Sequence, residues 1–429
     1  MTQSLGKIQN RVEPYKKEII TGLLITLPVL VFAIVAFMYG DFFQIGTHYP
    51  ISEYTAVFAY NLVIVVGLLF ALSDKRFRFS KGILYYILGI AVVFLILFNQ
   101  GFFGGDITLS IIDATQLLWG GQNPYVVPAV RHAEPNNPGV FRLGTYAYLP
   151  VDLVLYTALL GSFHTIASFI LGGAAPDFIP GFNVQGIVLA NMIFLVISYI
   201  IIRKTLEITG REALLLTLVL FIPVIWNNVC LTQMLFLAGC YFQQRNEPKY
   251  AVLFWTLSML TKYFTGIFIV ALLVKSVKEF DLANGLKLFS EMILLTSSFF
   301  ILFGPIEVLN STVLFYNTPE RVLDGSFGGS AVAEFVLFFG LLDVVWIFTL
   351  VGLFCILLVA FLIDDVYKRM IVTSLLSLFV ITGIAAQFLP MILYVFILSN
   401  RILFFVRELR DQSKSSQLQP ESFEQRTNT

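Results

Sequence analysis

The sequence predicts an all-α polytopic membrane protein of roughly 11 to 13 crossings, because apolar runs long enough to span a hydrocarbon core recur along it. Composition agrees: 58% of the residues are apolar and 13% charged, whereas a soluble domain carries about a quarter charged residues. Phenylalanine alone occurs 43 times. Lys plus Arg and Asp plus Glu balance at 27 each, so net charge gives no reason to expect a nucleic-acid partner.

The first apolar run, Ile19 to Tyr39, is too long for a cleavable signal and lacks a small-residue cleavage site. Lys7, Arg11, Lys16 and Lys17 precede it, so it reads as a signal anchor with a cytoplasmic N-terminus. Further spans are expected at Ala56–Leu72 and Ile83–Phe103, and then at Val184–Ile202, Ala213–Trp226 and Leu231–Phe242. The last group is Leu286–Phe303, Val344–Ile363, Ile371–Gln387 and Ile392–Phe405. The basic loop Ser73–Lys81, together with Lys275, Lys278, Lys368 and Arg369, is assigned to the cytoplasm by the positive-inside rule. The C-terminus is then cytoplasmic too, and 103–146 and 304–334 are outer loops.

Two stretches resist simple alternation. Tyr146–Leu171 reads either as one span or as two short ones broken at Gly161, and Tyr250–Val274 either as one span or as two half-helices meeting near Lys262. Cytoplasmic placement of Arg203, Lys204, Arg245 and Lys249 favours the broken form in both. Broken helices are tolerated at membrane depth where they line a cavity.

Polar residues concentrate in the first outer loop. Residues 107–119 have helical periodicity, with Gly120-Gly121 as the stop. Asp106 opens that helix and Asp113 shares its face; Asp106 suits an N-cap as well as a reactive carboxylate. Tyr146 and Tyr148, ahead of Pro150, suit an interfacial aromatic belt as well as a binding site. Asp152 lies inside the apolar run, where a carboxylate needs a partner or a wet cavity. Asn227, Asn228, Thr232 and Gln233 put polar groups at a helix start. Lys262 is the sharpest anomaly, since a lysine at mid-membrane costs about 2.5–3.5 kcal/mol on insertion scales. In the broken-helix reading it faces a cavity and is available to an anion.

The cysteines Cys230, Cys240 and Cys355 sit in apolar stretches and read as buried small hydrophobes. His48, His132 and His164 are isolated, so neither a metal nor a cofactor is expected. Asp364-Asp365 reads as a solvated turn.

In order along the chain stand Asp106, Ala114, Leu118, Gly120, Asn123-Pro124-Tyr125, the run Tyr146 to Pro150, Gln233 and Lys262. This order resembles the GT-C superfamily of integral-membrane glycosyltransferases. The likeness is greatest to the polyprenyl-phosphate-mannose-dependent mannosyltransferase-like group called glycosyltransferase family 87. It covers about residues 83–274; beyond them only the helix count agrees. Ser110 stands where an aromatic is usual, Thr232 where a glycine precedes the glutamine, and no proline follows Lys262.

The resemblance implies a GT-C-like bundle with a large first catalytic outer loop. Residues 1–82 are then an additional N-terminal hairpin, 83–274 the catalytic core, 275–410 the C-terminal helices, and 411–429 a disordered cytoplasmic tail. It implies transfer of a hexose, by expectation mannose, from a polyprenyl-phosphate-linked donor to an extracytoplasmic glycan or glycolipid acceptor. Asp106 would be the catalytic base. Asp113, Asn123, Tyr125, Arg131, Tyr146, Tyr148, Gln233, Lys262 and Arg321 would bind substrate, Lys262 holding the leaving phosphate with help from Arg131 or Arg321. A prokaryotic cell membrane is favoured over the endoplasmic reticulum. The rival reading is a secondary transporter or lipid-linked-glycan flippase, which shares helix count, half-helices and buried charges.

Overall fold

Apolar helices dominate the computed structural model, which describes residues 105–134, 137–171, 179–208, 210–221, 228–279, 281–314, 345–380 and 389–399. The expected spans at 19–39, 56–72 and 83–103, the tail 411–429, Arg321 and the Asp106 side chain lie outside this description. Three described helices are long and apolar enough to cross a membrane: α2 (Pro150–Leu171), α3 (Val184–Leu206) and α8 (Leu282–Phe303). Four of their hydroxyls are satisfied internally. Thr157, Ser198, Thr205 and Ser298 each donate to the carbonyl four residues back, which removes the cost of a bare hydroxyl in lipid. On α8 Leu286, Leu294, Ile301 and Leu302 are exposed, a face suited to lipid and not to water. The protein is a helical membrane protein.

Helix α1 (Gly105–Trp119) ends at the expected glycines. Gly121 takes φ +77°, Gln122 N donates to Leu117 O, and Gly121 N donates to Leu118 O. This is the Schellman closure that a glycine permits. The stretch expected as the first outer loop also contains a feature the all-α expectation did not include. An antiparallel hairpin, β1 (Val130–Glu134) and β2 (Asn137–Gly144), pairs Val130 with Gly144 and Arg131 with Leu143. Tertiary contacts hold it: Asp113 on α1 binds the backbone N–H and the side chain of Arg131, and Ser110 Oγ donates to Arg131 O at 2.5 Å.

Helix α2 corrects a second expectation. It runs unbroken through Gly161. A Cβ at Gly161 would lie 2.3 Å from the Trp119 ring, so this glycine makes room for an indole and leaves the helix continuous. Helices α2 and α3 are antiparallel, with Tyr156 OH donating to Asn191 Oδ1 at 2.6 Å and His164 packed on Phe182.

Helices α4 (Gly210–Phe221), α5 (Val229–Gln244), α6 (Pro248–Met259) and α7 (Gly266–Lys278) are short. Helices α6 and α7 are separated at Leu260–Thr265, where Lys262 is extended and Tyr263–Thr265 form one 3₁₀ turn. The chain reverses there. Trp255 and Phe268 would lie about 20 Å apart along one straight helix, yet their ring centroids are 6.1 Å apart. The two half-helices meeting near Lys262 are therefore a hairpin.

After α8, helix α9 (Pro305–Leu309) runs into a π turn at Asn310–Leu314. Helices α10 (Val345–Leu362), α11 (Val366–Val380) and α12 (Leu389–Leu398) complete the described chain. Cys230 and Cys240 are buried, but Cys355 is exposed on α10; on so apolar a helix an outward thiol faces lipid as readily as a core.

Candidate functional site

Three segments distant in sequence are tied together at the start of α2, the start of α5 and the α6–α7 turn. Val151 N donates to Leu260 O at 3.1 Å. Ser258 Oγ donates to Thr232 O at 2.8 Å, and the Thr261 hydroxyl bonds that of Thr232 at 2.7 Å. These bonds hold the non-helical residues 260–262 against the first turns of α2 and α5, where irregular backbone needs protein partners.

Two charged residues, Asp152 and Lys262, belong to this frame. Asp152 is fully buried and accepts a hydrogen bond from Asn228 Nδ2, also fully buried. Lys262 is close enough to act electrostatically on Asp152. The Lys262 Nζ sits 4.3 Å from the Tyr148 ring centroid, a cation–π contact worth about 0.5–2 kcal/mol depending on solvation. Among the described residues, Asp152 Oδ1, Asn228 Oδ1 and Tyr146 OH are buried without a hydrogen-bond partner. The Tyr146 hydroxyl approaches the same carboxylate without reaching hydrogen-bond geometry.

An aromatic wall supports Tyr148. Tyr125 OH donates to Tyr148 O at 2.6 Å, and the Tyr146 ring meets those of Tyr125 and Tyr148 edge-on at 5.6 and 5.5 Å. Burial, and secondarily the negative charge of Asp152, hold the Tyr125 and Tyr146 phenols well above their ordinary pKa. Both are therefore neutral hydroxyls near neutral pH.

The site residues expected from sequence divide into two groups. Tyr148 and Lys262 are in contact. Gln233 follows Thr232, the residue bonded to Thr261, and is buried; Tyr125 and Tyr146 stand behind Tyr148. Asp113, Asn123 and Arg131 have other partners. Arg131 holds Asp113 through two guanidinium bonds of 2.8 and 2.7 Å plus its backbone N–H. Asn123 donates to Phe303 O at 2.7 Å and accepts from Tyr125 N, tying the loop to the end of α8. Asp106 lies in the first described turn of α1. Asp152 and Asn228 are the central polar pair, and their signal is visible in sequence as a carboxylate in an apolar run and an amide at a helix start.

Depth follows from helix length. Helices α6 and α7 have 12 and 13 residues, about 18–20 Å each, against a hydrocarbon core of about 30 Å. Their far ends carry Lys249, Lys275 and Lys278. Were that basic end set at one membrane surface, helices of this length would leave Lys262 within the bilayer and short of the other side. Among the described residues no three His, Cys, Asp or Glu side chains are grouped to hold a metal ion.

Compared with protein-family models, curated proteins and solved structures, the chain has no match.

Proposed function

We propose that this protein is a membrane glycosyltransferase. It moves a hexose, by resemblance mannose, from a polyprenyl-phosphate-linked donor to a glycan or glycolipid acceptor outside the cytoplasm. The observation that carries this reading is Lys262: a cation at the tip of the α6–α7 hairpin, half-buried, leaning on Tyr148. A lipid-linked phosphate travelling within the bilayer reaches such a cation laterally, and an ammonium offsets the charge left on a departing phosphate. Arg131 is already engaged by Asp113, so the phosphate clamp falls chiefly to Lys262.

In this reaction the Asp106 carboxylate takes the proton of the acceptor hydroxyl. The acceptor oxygen forms a bond to the anomeric carbon on the face opposite the phosphate. The bond from that carbon to the phosphate oxygen breaks, its electron pair leaves with polyprenyl phosphate, and the anomeric configuration inverts.

The assay is sugar transfer from a polyprenyl-phosphate hexose in proteoliposomes. Asp106→Asn should cut transfer by about 10²-fold or more with donor KM little changed. Lys262→Met should raise donor KM. Normal transfer by Asp106→Asn would overturn the assignment. The second reading, a secondary transporter, draws on the buried Asp152 beside a broken helix pair. Substrate uptake into the same vesicles without sugar transfer would establish it instead.

A further inference from the structure

A buried carboxylate is costly unless something compensates its charge. Asp152 has no exposed surface, and its hydrogen-bond partner Asn228 is neutral. The cation acting on it is Lys262. Asp152 opens α2 and is held to the α6–α7 turn through Val151 N and Leu260 O. Lys262 rests on Tyr148, which stands just ahead of Asp152 in the stretch leading into α2. Ring and carboxylate therefore come from one short entry segment.

We infer that Asp152, oriented by Asn228, is the positioning residue for Lys262. It holds the ammonium over Tyr148 at the hairpin tip and keeps the site electrically balanced until an anionic ligand arrives. Asp152 acts through Lys262 and touches no substrate. Asn228 points one amide hydrogen at the carboxylate and so fixes its orientation. The activity arm of this inference rests on the transferase reading above; the stability arm does not.

The test is a double-mutant cycle in the full chain: Asp152→Asn, Lys262→Met and the two combined. Asp152 is fully buried and Lys262 half-buried, so removing one of two coupled charges leaves the other less compensated, whereas removing both does not. Each single variant should lower the thermal midpoint in detergent by roughly 5 °C or more, and the double variant should recover most of that loss. In the transfer assay Asp152→Asn should raise donor KM about tenfold with a smaller effect on kcat, and should raise it no further in the Lys262→Met background. Additive losses in the midpoint, or a KM effect of Asp152→Asn that persists without Lys262, overturn the inference. If the single variants fail to accumulate, the reciprocal exchange Asp152→Lys with Lys262→Asp decides: accumulation supports the pairing and absence overturns it. Coupled stability without transfer of any lipid-linked sugar would leave the pairing standing and remove the transferase reading. Transfer with uncoupled variants would do the reverse.

Discussion

At the scale of single residues, the polar groups of the first loop divide by partner. Asp113 and Arg131 form a two-point ion pair strengthened by the Arg131 N–H. It pins the β-hairpin to α1. The Arg131 side chain is 41% exposed, so solvent screens the pair and its contribution is about 1–2 kcal/mol. Asp113→Ala should lower the thermal midpoint modestly and loosen the hairpin, read as faster amide exchange at 130–144. Arg131→Lys with Asp113 in place should loosen the hairpin as well, because an ammonium cannot make the two-pronged contact. Sequence spacing places Asp113 on one helical face, but its partner lies on a strand whose position depends on the loop between. Lys262 and Asp152 are legible for the opposite reason. A charge inside an apolar run stands out whatever surrounds it.

Among the elements, the two ambiguous stretches came out differently although both carried the same kind of signal. The break at Lys262 is present, and the hairpin it forms brings Trp255 beside Phe268. The break expected at Gly161 is absent because Trp119, from another helix, fills the space over the glycine. A glycine in an apolar run looks alike whether it bends a helix or receives a ring. Arg369 shows the same dependence on context. Sequence reads it as a cytoplasmic basic residue, yet it is 1% exposed. Its guanidinium donates to Ala360 O and Ile363 O near the end of α10 and to Ala271 O on α7. It caps one helix with another. Arg369→Ala should cost about 3 kcal/mol by leaving several buried carbonyls without a donor, measured as a fall in detergent thermal stability. Arg369→Lys should recover little of it, because an ammonium is a point donor and these carbonyls are spread over two helices.

For the whole molecule, Arg203, Lys204, Lys249, Lys275 and Lys278 stand at helix ends away from the Lys262 turn. Lys278 reaches Asp364 and the Phe361 carbonyl, joining the end of α7 to the α10–α11 turn. Helix α3 closes there too, since Thr205 and Cys240 face the same side chain, Tyr394. The positive-inside rule assigns this end to the cytoplasm and the end with Asp113, the β-hairpin and Phe303 to the outside. In a variant lacking the native cysteines, a cysteine at Leu143, which is exposed, should react with a membrane-impermeant thiol reagent in intact cells. A cysteine at Lys249, also exposed, should react only after permeabilisation. The opposite pattern would invert the topology and detach the site from the outer face.

The membrane character and the helical class were determined by the sequence alone, because apolar transfer into lipid adds up along the chain and backbone hydrogen bonding then demands helices. The anomalous Lys262 and Asp152 were visible in the same way, as local departures from that sum. Only the tertiary structure decided that Asp152 stands with Asn228 and Lys262, that Arg131 belongs to Asp113, and that Gly161 seats an indole. Each of these depends on which surfaces meet across helices, and hydropathy along a chain carries no record of that.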